Sequence, residues 1–320
     1  MWEDLEQAPD KCWLCPQDQW SDPGSSSCWP KSSVYQFWPD YVSVALGILS
    51  ALGMGLTLFV LAVYVKHQDT PIVKTAGGLF YFNMAGLFCS FASVAFILGE
   101  PQNWKCKLRK PIFYISFAVC LSCMLAKTIR ILCAFSSPLG KPSKLQTHLY
   151  LIIVALGPSI QFLICALWVS IDPPEMNVVY PKAKPYIILE CFKETGLGAS
   201  FAMGYLCFLA FCLLACTMRS QSLPSNFNEA QGVSFATIIF FVTWLSVFPV
   251  LHSSNHYTPR SIILALVILS SAHSFLVFLF FHNCYIILFK PECNTVEWIK
   301  KSTYEYCQKI SREANLSIRL

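Results

Sequence analysis

Charged side chains are scarce in this sequence. Asp, Glu, Lys and Arg together make up 13% of the residues, whereas 55% are hydrophobic and the mean hydropathy is +0.51. A water-soluble domain keeps about a quarter of its residues charged, so this composition argues against one. The net charge of +5 is too small, and too widely scattered along the chain, to indicate nucleic-acid binding.

The residue arrangements that support catalysis are missing as well. The sequence has no Ser–His–Asp set, no glycine-rich phosphate loop and no paired carboxylates. His252 and His256 have the i, i+4 spacing of metal ligands, but no third ligand accompanies them. His273 and His282 are more typical of packing residues than of a proton relay. We therefore expect neither an enzyme nor a cofactor or metal site.

Long apolar runs dominate the chain instead. A helix needs roughly 20 apolar residues to cross a bilayer core about 30 Å thick. Because lipid offers the backbone no hydrogen-bond partners, each such run must be helical. The prediction is an all-α membrane protein, a seven-transmembrane helix bundle with a short disulfide-bearing extracellular stub. The spans are expected at Tyr41–Val65, Ala76–Leu98, Pro111–Phe135, Thr147–Ile171, Gly196–Thr217, Ala230–His252 and Ser261–Phe289.

Three cysteines, Cys12, Cys15 and Cys28, crowd a short polar segment ahead of the first span. Such a segment is too small to bury a core and is stabilised by disulfides, which persist in an oxidising compartment. A zinc knuckle is the alternative, but without a nearby histidine it is one ligand short. Since three is odd, a partner is expected upstream, which points to a truncated chain. The acidic start shows no cleavable signal peptide, so the first span is otherwise expected to act as a signal anchor.

The cysteines also decide the orientation. Lysine and arginine divide almost evenly between the two sides of the membrane and barely favour either. An oxidising environment for the cysteines places the N-terminus outside, and an odd number of spans then places the C-terminus in the cytoplasm. The expected parts are an extracellular stub at residues 1–40, a seven-transmembrane domain at 41–289 and a cytoplasmic tail at 290–320.

Two further cysteines fall in outer loops in this orientation, Cys106 before span three and Cys191 before span five. A bridge between them would pin the second outer loop across the mouth of the bundle. That loop, residues 172–195, contains four prolines. Because proline resists helix, we interpret the loop as extended chain or a hairpin.

Charged residues within spans form a second group of candidates. A centrally placed charge costs about 2.5–3.5 kcal/mol to insert, so such residues are usually paired or functional. Lys127 and Arg130 lie near the inner end of span three, and Glu229 opens span six on the same side. A Lys127–Glu229 ion pair would tie the two helices together as a breakable latch. The alternative is that both side chains snorkel to the head groups and never meet.

Span six contains the segment Phe241-Val-Thr-Trp-Leu-Ser-Val-Phe-Pro249. Pro249 cannot donate a hydrogen bond to the carbonyl four residues before it and is expected to kink the helix. Trp244 is then placed to face the bundle centre and line a ligand cavity. The simpler alternative is a core tryptophan at a proline bend without any ligand.

Several motifs together resemble the class C G-protein-coupled receptors, and within them the taste receptor type 1 family. The similarity extends over nearly the whole chain, and the Ala-Gly-Gly of the first inner loop favours the taste branch. The span-six segment leans towards the subunit that receptors of this branch share. The motifs are Cys15 to Cys28, Asp69-Thr-Pro-Ile-Val-Lys-Thr-Ala-Gly-Gly78, Cys120-Leu-Ser-Cys-Met-Leu-Ala-Lys127, Leu189-Glu-Cys191, and Leu223-Pro-Ser-Asn-Phe-Asn-Glu-Ala230 followed by Trp244 and Pro249.

The resemblance implies roles for individual residues. It implies a bridge from span three to the second outer loop, an inactive-state latch at the inner ends of spans three and six, and a toggle tryptophan beneath an allosteric pocket. It also implies a disulfide in the stub, as the end of a cysteine-rich domain, and residues that face a G protein. The assignments are Cys106 and Cys191 for the bridge, Lys127 and Glu229 for the latch, Trp244, Phe241 and Phe248 for the pocket, Cys15 and Cys28 for the stub, and Arg130 and Asn228 for the G protein.

The resemblance also implies partners. Receptors of this family act as dimers in the plasma membrane, capture amino acids or sugars in a bilobed extracellular domain and activate a heterotrimeric G protein. The expected partners are therefore a G protein, a second taste receptor type 1 subunit, a small-molecule tastant held by the extracellular domain, and membrane lipid. Rearrangement of spans three, six and seven is expected to transmit the signal.

Two departures from the family pattern matter. The bilobed domain is not in this sequence, so the chain alone is not expected to bind the usual agonist. His282-Asn283-Cys284-Tyr285 stands where the family has Pro-Lys-Cys-Tyr, which loses a kink and a cation and puts G-protein coupling in doubt. A truncated, non-signalling dimer subunit is therefore one alternative. A transporter or channel is another, although the clustering of buried charges at one end argues against it.

Overall fold

A computed structural model describes residues 15–22, 25, 27–34, 40–136, 144–180, 185–191, 197–220, 229–252, 260–298 and 308. For some residues at the ends of elements, Glu190 and Glu229 among them, only the backbone is described. The helices are α1 (Tyr41–Lys66), α2 (Pro71–Ala76), α3 (Leu79–Ala92), α4 (Asn103–Ser136), α5 (Lys144–Ile171), α6 (Leu197–Ser220), α7 (Glu229–His252), α8 (Arg260–Leu276) and α9 (His282–Phe289).

Among the described residues, seven helices are long and apolar enough to cross a membrane. They are α1, α3 with the 3₁₀ turn Ser93–Phe96 that follows it, α4, α5, α6, α7, and the run of α8 and α9 joined by a π-helical segment at Val277–Phe281. This confirms the predicted seven-helix bundle. Spans three, six and seven of the sequence correspond to α4, α7 and the α8–α9 run. The helix α7 continues through Pro249 to His252.

The start of α4 differs from the prediction. The sequence places the basic residues before Pro111 in a loop, but the helix begins at Asn103. These residues are held in helical turns because Cys106 and Arg109 are both bonded to the second outer loop. Pro111 lies inside the helix, where it has no N–H to donate to the preceding turn.

In the part of the chain that the structure describes, five short strands lie at one end of the bundle, which we call the disulfide end. The strands β4 (Met176–Val179) and β5 (Tyr186–Cys191) form an antiparallel hairpin, which confirms the hairpin interpretation of the second outer loop. The strand β3 (Ser32–Val34) pairs in parallel with the other edge of β5. Ahead of it, β1 (Gln19–Trp20) and β2 (Trp29–Pro30) form a second, antiparallel pair. The segment before α1 is therefore attached to the loop between α5 and α6.

The helix α4 is the central element of the bundle. Of the residues in its apolar stretch, 72% are buried, against 22% in the apolar stretch of α5. It contacts α3, α5 and α6 along its length. Side chains on α4 are therefore surrounded by other helices, and a change in their packing alters the contacts with α3, α5 and α6.

Glycine permits a close contact between two of these helices. A Cβ at Gly86 of α3 would lie 2.7 Å from Cys120 Sγ and 2.8 Å from the Ser116 carbonyl oxygen of α4. Small residues let helix backbones approach in membranes, where packing rather than the hydrophobic effect holds helices together. Around the same position on Gly204 of α6, in contrast, no atom of another described element lies within 4 Å.

These two glycines predict opposite responses to one methyl group. We expect Gly86→Ala to lower the unfolding temperature in lipid nanodiscs, because overpacking of this kind costs about 1–3 kcal/mol. Gly204→Ala is the matched control and should be neutral or slightly stabilising, since alanine favours helix over glycine by about 1 kcal/mol. An unfolding temperature for Gly86→Ala at or above that of the unmutated chain would contradict the close approach of α3 and α4.

Candidate functional site

Five aromatic side chains from three helices meet at the centre of the bundle. Residues four positions apart share a helix face, and α4 and α7 each contribute such a pair. All five side chains are buried, with exposed fractions between 0% and 4%. We call them the aromatic cluster: Phe113 and Phe117 of α4, Phe240 and Trp244 of α7, and Phe275 of α8.

The rings of the aromatic cluster form one continuous set of contacts. Phe113 stacks on Trp244 with ring centroids 5.4 Å apart, and Phe117 stacks on Phe240 at 5.1 Å. Phe275 meets Phe117 edge-on at 5.0 Å. Aromatic pairs in these geometries contribute about 0.5–1.5 kcal/mol beyond the area they bury. The cluster therefore holds α4, α7 and α8 together at one level of the bundle.

Trp244 also makes a polar link between α7 and α8. Its indole Nε1–H donates to Ser271 Oγ at 3.2 Å, and Ser271 Oγ donates to the Val267 carbonyl at 2.8 Å. An indole N–H buried without an acceptor costs about 1–3 kcal/mol, so this bond favours one orientation of the ring. The sequence predicts Trp244 at the bundle centre, where it lies. It does not single out Ser271, because serines are frequent in these spans.

The two phenylalanines predicted to accompany Trp244 lie in different environments. Phe241 is partly buried, with its ring edge-on to Phe240 at 6.0 Å. Phe248 is 42% exposed towards the end of α7. At about 100° per residue, Phe240 lies about 40° from Trp244 around the helix and Phe241 about 60° from it on the other side, so Phe240 is the better aligned of the two. The i, i+4 spacing in the sequence is the signal that identifies Phe240.

The disulfide end of the bundle is tied together around Cys191. Cys106 of α4 and Cys191 of β5 form a disulfide, and both are buried. Arg109, one turn along α4 and 7% exposed, donates from Nη2 to the Cys191 carbonyl at 2.7 Å. Its Nη1 donates to Ser261 Oγ at the start of α8 at 3.4 Å. The start of α4, the end of β5 and the start of α8 are thus joined at one point.

The N-terminal segment connects to the same point. A second disulfide joins Cys15 to Cys28 across the β1–β2 pair, and Cys12 lies outside the described residues. Ser32 N–H, at the start of β3, donates to the Pro185 carbonyl at 3.1 Å. A path of covalent and hydrogen bonds therefore leads from the stub through β3 and β5 to α4. Nothing in the three-residue strand β3 predicts this pairing from sequence.

At the opposite end, the structure describes part of the predicted latch. Lys127 is half-buried towards the end of α4. Arg130 is exposed, with its guanidinium carbon 5.9 Å above the ring of Tyr150 in α5, within cation–π range. Glu229 is the first residue of α7, but its side chain lies outside the described residues, as does all of Asn228. The Lys127–Glu229 pair stays a prediction.

The seventh span departs from regular α-helix just before His282. The residues Val277–Phe281 are π-helical, and α9 begins directly after them. Here the Phe278 carbonyl oxygen closely approaches Gly232 of α7, at a place where any Cβ would collide with it. Gly232 therefore lets α7 and the seventh span pack backbone to backbone. The sequence does not single out this glycine.

Comparison with known proteins gives a family match over most of the chain. The profile described as "7 transmembrane sweet-taste receptor of 3 GCPR" matches residues 37–283. The matched region includes every residue of the aromatic cluster, both cysteines of the Cys106–Cys191 bridge, Lys127 and Glu229. The match begins just before α1 and ends within α9.

Curated relatives match along nearly the whole chain. The extracellular calcium-sensing receptor of Bos taurus is 36% identical over 297 residues, which are 91% of this chain and 27% of that protein. G-protein coupled receptor family C group 6 member A of Carassius auratus is 35% identical over 308 residues, 94% of this chain and 34% of that protein. Taste receptor type 1 member 1 of Homo sapiens is 29% identical over 305 residues, 93% of this chain and 36% of that protein. The chain thus spans about a third or less of the length of these relatives.

The bond between Trp244 and Ser271 predicts non-additive effects on stability. Ser271→Ala should lower the unfolding temperature, because the indole N–H loses its acceptor at a cost of about 1–3 kcal/mol. In a Trp244→Phe background the same substitution should cost much less, since no N–H is left to satisfy. Unfolding of the single and double variants measures this coupling.

A neighbouring serine provides the control for this cycle. Ser274 of α8 is also buried, but it donates to the Ser271 carbonyl at 2.8 Å rather than bonding the indole. Ser274→Ala should therefore have the same effect with Trp244 or with phenylalanine at position 244. The indole bond does not stabilise the bundle if Ser271→Ala, like Ser274→Ala, costs the same with Trp or Phe at position 244, within about 0.5 kcal/mol.

Proposed function

This chain belongs to the class C family of G-protein-coupled receptors, and we propose that it is a signalling domain that passes an extracellular event to a heterotrimeric G protein. Members of this family are receptors and not enzymes. The observation that carries the proposal is the aromatic cluster, which couples α4, α7 and α8 between the two ends of the bundle. Because these rings are close-packed, a displacement of one helix is felt by the other two.

The proposed orientation places the disulfide end outside the cell. Both described disulfides and all five strands lie at that end. Disulfides persist in oxidising compartments and are rare in the cytosol, which supports an extracellular N-terminus at the plasma membrane. In this proposal residues 1–40 end an extracellular cysteine-rich region, residues 41–289 are the transmembrane domain and residues 290–320 form a cytoplasmic tail.

The extracellular input would enter through the sheet at the disulfide end. Movement of the N-terminal segment would pull on β5 through the β3 pairing. The Cys106–Cys191 bridge and the Arg109 hydrogen bonds would then carry that movement to the starts of α4 and α8. A direct mechanical connection of this kind supports transmission to the helices that also form the aromatic cluster.

At the cytoplasmic end, we propose that Lys127 of α4 and Glu229 of α7 form an ion pair in the resting receptor. Because Lys127 is half-buried, an ion pair there would interact more strongly than one in water. The pair would therefore hold the two helices together until the input separates them. Arg130 and Asn228, close to the latch in the sequence, would face the G protein.

Ligands that act on this chain directly would be small and apolar. We place their site beside Trp244, with Phe241 and Phe248 of the same helix contributing to its wall. Both phenylalanines are partly exposed, so they are accessible to a ligand that enters among α4, α6, α7 and α8. A ligand there would act by repacking the aromatic cluster.

The finer assignment that we propose is the taste receptor type 1 branch. It would make amino acids or sugars the extracellular ligands and a second subunit of that branch the dimer partner. The Ala76-Gly-Gly78 motif of the first inner loop supports it. A calcium-sensing role is the second candidate, because the identity to the calcium-sensing receptor is 36% and that to the human taste receptor is 29%.

A receptor chimera tests the signalling proposal. We expect a chain preceded by the extracellular region of the calcium-sensing receptor to activate a G protein on addition of calcium, measured by energy transfer between G-protein subunits. Lys127→Ala and Glu229→Ala should raise the basal signal, since loss of about 1–2 kcal/mol shifts a two-state ratio roughly 5–30-fold. The double charge reversal, Lys127→Glu with Glu229→Lys, should return it towards the unmutated level.

An exposed ion pair provides the matched control. Lys74 lies 3.9 Å from Asp69, and the two side chains are 65% and 95% exposed. Such a pair contributes about 0–1 kcal/mol, so Lys74→Ala should leave the basal signal unchanged. If the variants and the unmutated chimera all give the same basal signal and the same calcium-driven signal, the latch proposal is wrong. A chimera that reaches the cell surface and never activates a G protein would favour a non-signalling subunit.

Dimer preference tests the finer assignment. We expect stronger energy transfer between labelled copies of this chain and taste receptor type 1 member 1 than between this chain and the calcium-sensing receptor, at matched surface expression. The reverse order would favour the second candidate. If energy transfer from this chain to both receptors is no stronger than to an unrelated seven-helix receptor, the proposed dimer is wrong.

A further inference from the structure

A small cavity lies where α1, α3, α4 and the π segment of the seventh span come together. Its volume is about 20 Å³. A buried water molecule needs about 10–15 Å³ measured in this way, so the cavity has room for a water molecule. Its wall includes Tyr64 of α1 and the apolar side chains of Phe80 of α3, Met124 of α4 and Phe280 of the π segment.

One wall of this cavity carries a buried amide. Asn83 of α3 lines the cavity and is 2% exposed. Its Oδ1 has no hydrogen-bond partner among the residues that the structure describes. A polar atom buried in that way costs about 1–3 kcal/mol, a large penalty for a side chain within a membrane span. A ligand in the cavity that donates a hydrogen bond would remove this penalty.

A second polar group lines the same cavity. Lys127 of α4 contributes to its wall, and an ammonium group offers donors only. A water molecule can donate one hydrogen bond to Asn83 Oδ1 and accept another from Lys127. The Sγ of Cys123, also in the wall, is a further weak acceptor. These groups supply the two to four polar partners that an ordered internal water requires.

We propose that this cavity is a hydration site in which one water molecule bridges Asn83 of α3 to Lys127 of α4. A metal cation fits the site poorly, because it prefers several oxygen ligands and would be repelled by the lysine. The proposal goes beyond the proposed function and does not depend on it, since it requires only the cavity and its two polar side chains.

Radiolytic labelling of the full chain in lipid nanodiscs tests the site. Hydroxyl radicals generated from a bound water oxidise the side chains next to it, and water enriched in ¹⁸O labels the product. Met124 lines the cavity, whereas Met84 of α3 and Met203 of α6 do not. All three are buried, with exposed fractions of 4%, 2% and 6%. We expect oxidation of Met124 to be several-fold faster than that of the two control methionines.

Two substitutions of Asn83 separate water from a general opening of the bundle. Asn83→Leu removes the acceptor and fills the cavity, so oxidation of Met124 should fall to the level of Met84. Asn83→Ser keeps a hydroxyl group and leaves more space, so fast oxidation should remain. Equal rates for the three methionines in the unmutated chain would overturn the proposal. Fast oxidation of Met124 that persists in Asn83→Leu would also overturn the proposal. If that variant does not fold, the relative oxidation rates of the three methionines in the unmutated chain still test it.

Discussion

Hydrocarbon offers no hydrogen-bond partner to a peptide group, and the architecture of this chain follows from that constraint. The helices satisfy their own backbones, and many buried hydroxyl groups are satisfied within the same helix. Thr57, Thr128 and Thr237 each donate to the carbonyl four residues earlier, at 2.7–2.9 Å. Groups that are satisfied locally do little to hold one helix to another. The association of helices therefore depends on packing and on the hydrogen bonds that do cross between them.

Such crossing bonds lie between neighbouring helices in several parts of the bundle. The hydroxyl of Ser50 in α1 donates to the Phe91 carbonyl of α3 at 2.8 Å, and that of Tyr205 in α6 donates to the Gly157 carbonyl of α5 at 3.1 Å. The bond from Trp244 to Ser271 is the equivalent link between α7 and α8, and it is embedded among stacked rings. Packed interiors change between discrete arrangements rather than deforming continuously. The aromatic cluster is therefore suited to two alternative packings of three helices, which is what a receptor requires.

The predictions that succeed depend on properties of single segments. Span length and hydropathy predict the seven helices, and the four prolines predict extended chain or a hairpin rather than a helix in the second outer loop. The predictions that miss concern contacts between distant segments. The early start of α4 depends on bonds from Cys106 and Arg109 to β5, and the pairing of β3 depends on an edge that β5 offers. Asn83 and Ser271 are not identified from the sequence, because the role of a single polar residue in an apolar run depends on its neighbours in space.

The seventh span departs from the family pattern at His282 and Asn283, and its structure shows which of the two departures matters for the shape of the helix. The family pattern has a proline where this chain has His282, and proline bends a helix by removing a backbone hydrogen bond. The five residues directly before His282 form a π segment, which is another recognised cause of bends in helices. That segment also packs its Phe278 carbonyl against Gly232 of α7, so the irregularity lies at the contact between two helices of the proposed transmission path. The span therefore retains a segment that can bend it even without the proline. The departure that remains is Asn283, where the pattern has lysine, and it removes one cation near the end of the bundle opposite the disulfide end without changing the shape of the helix.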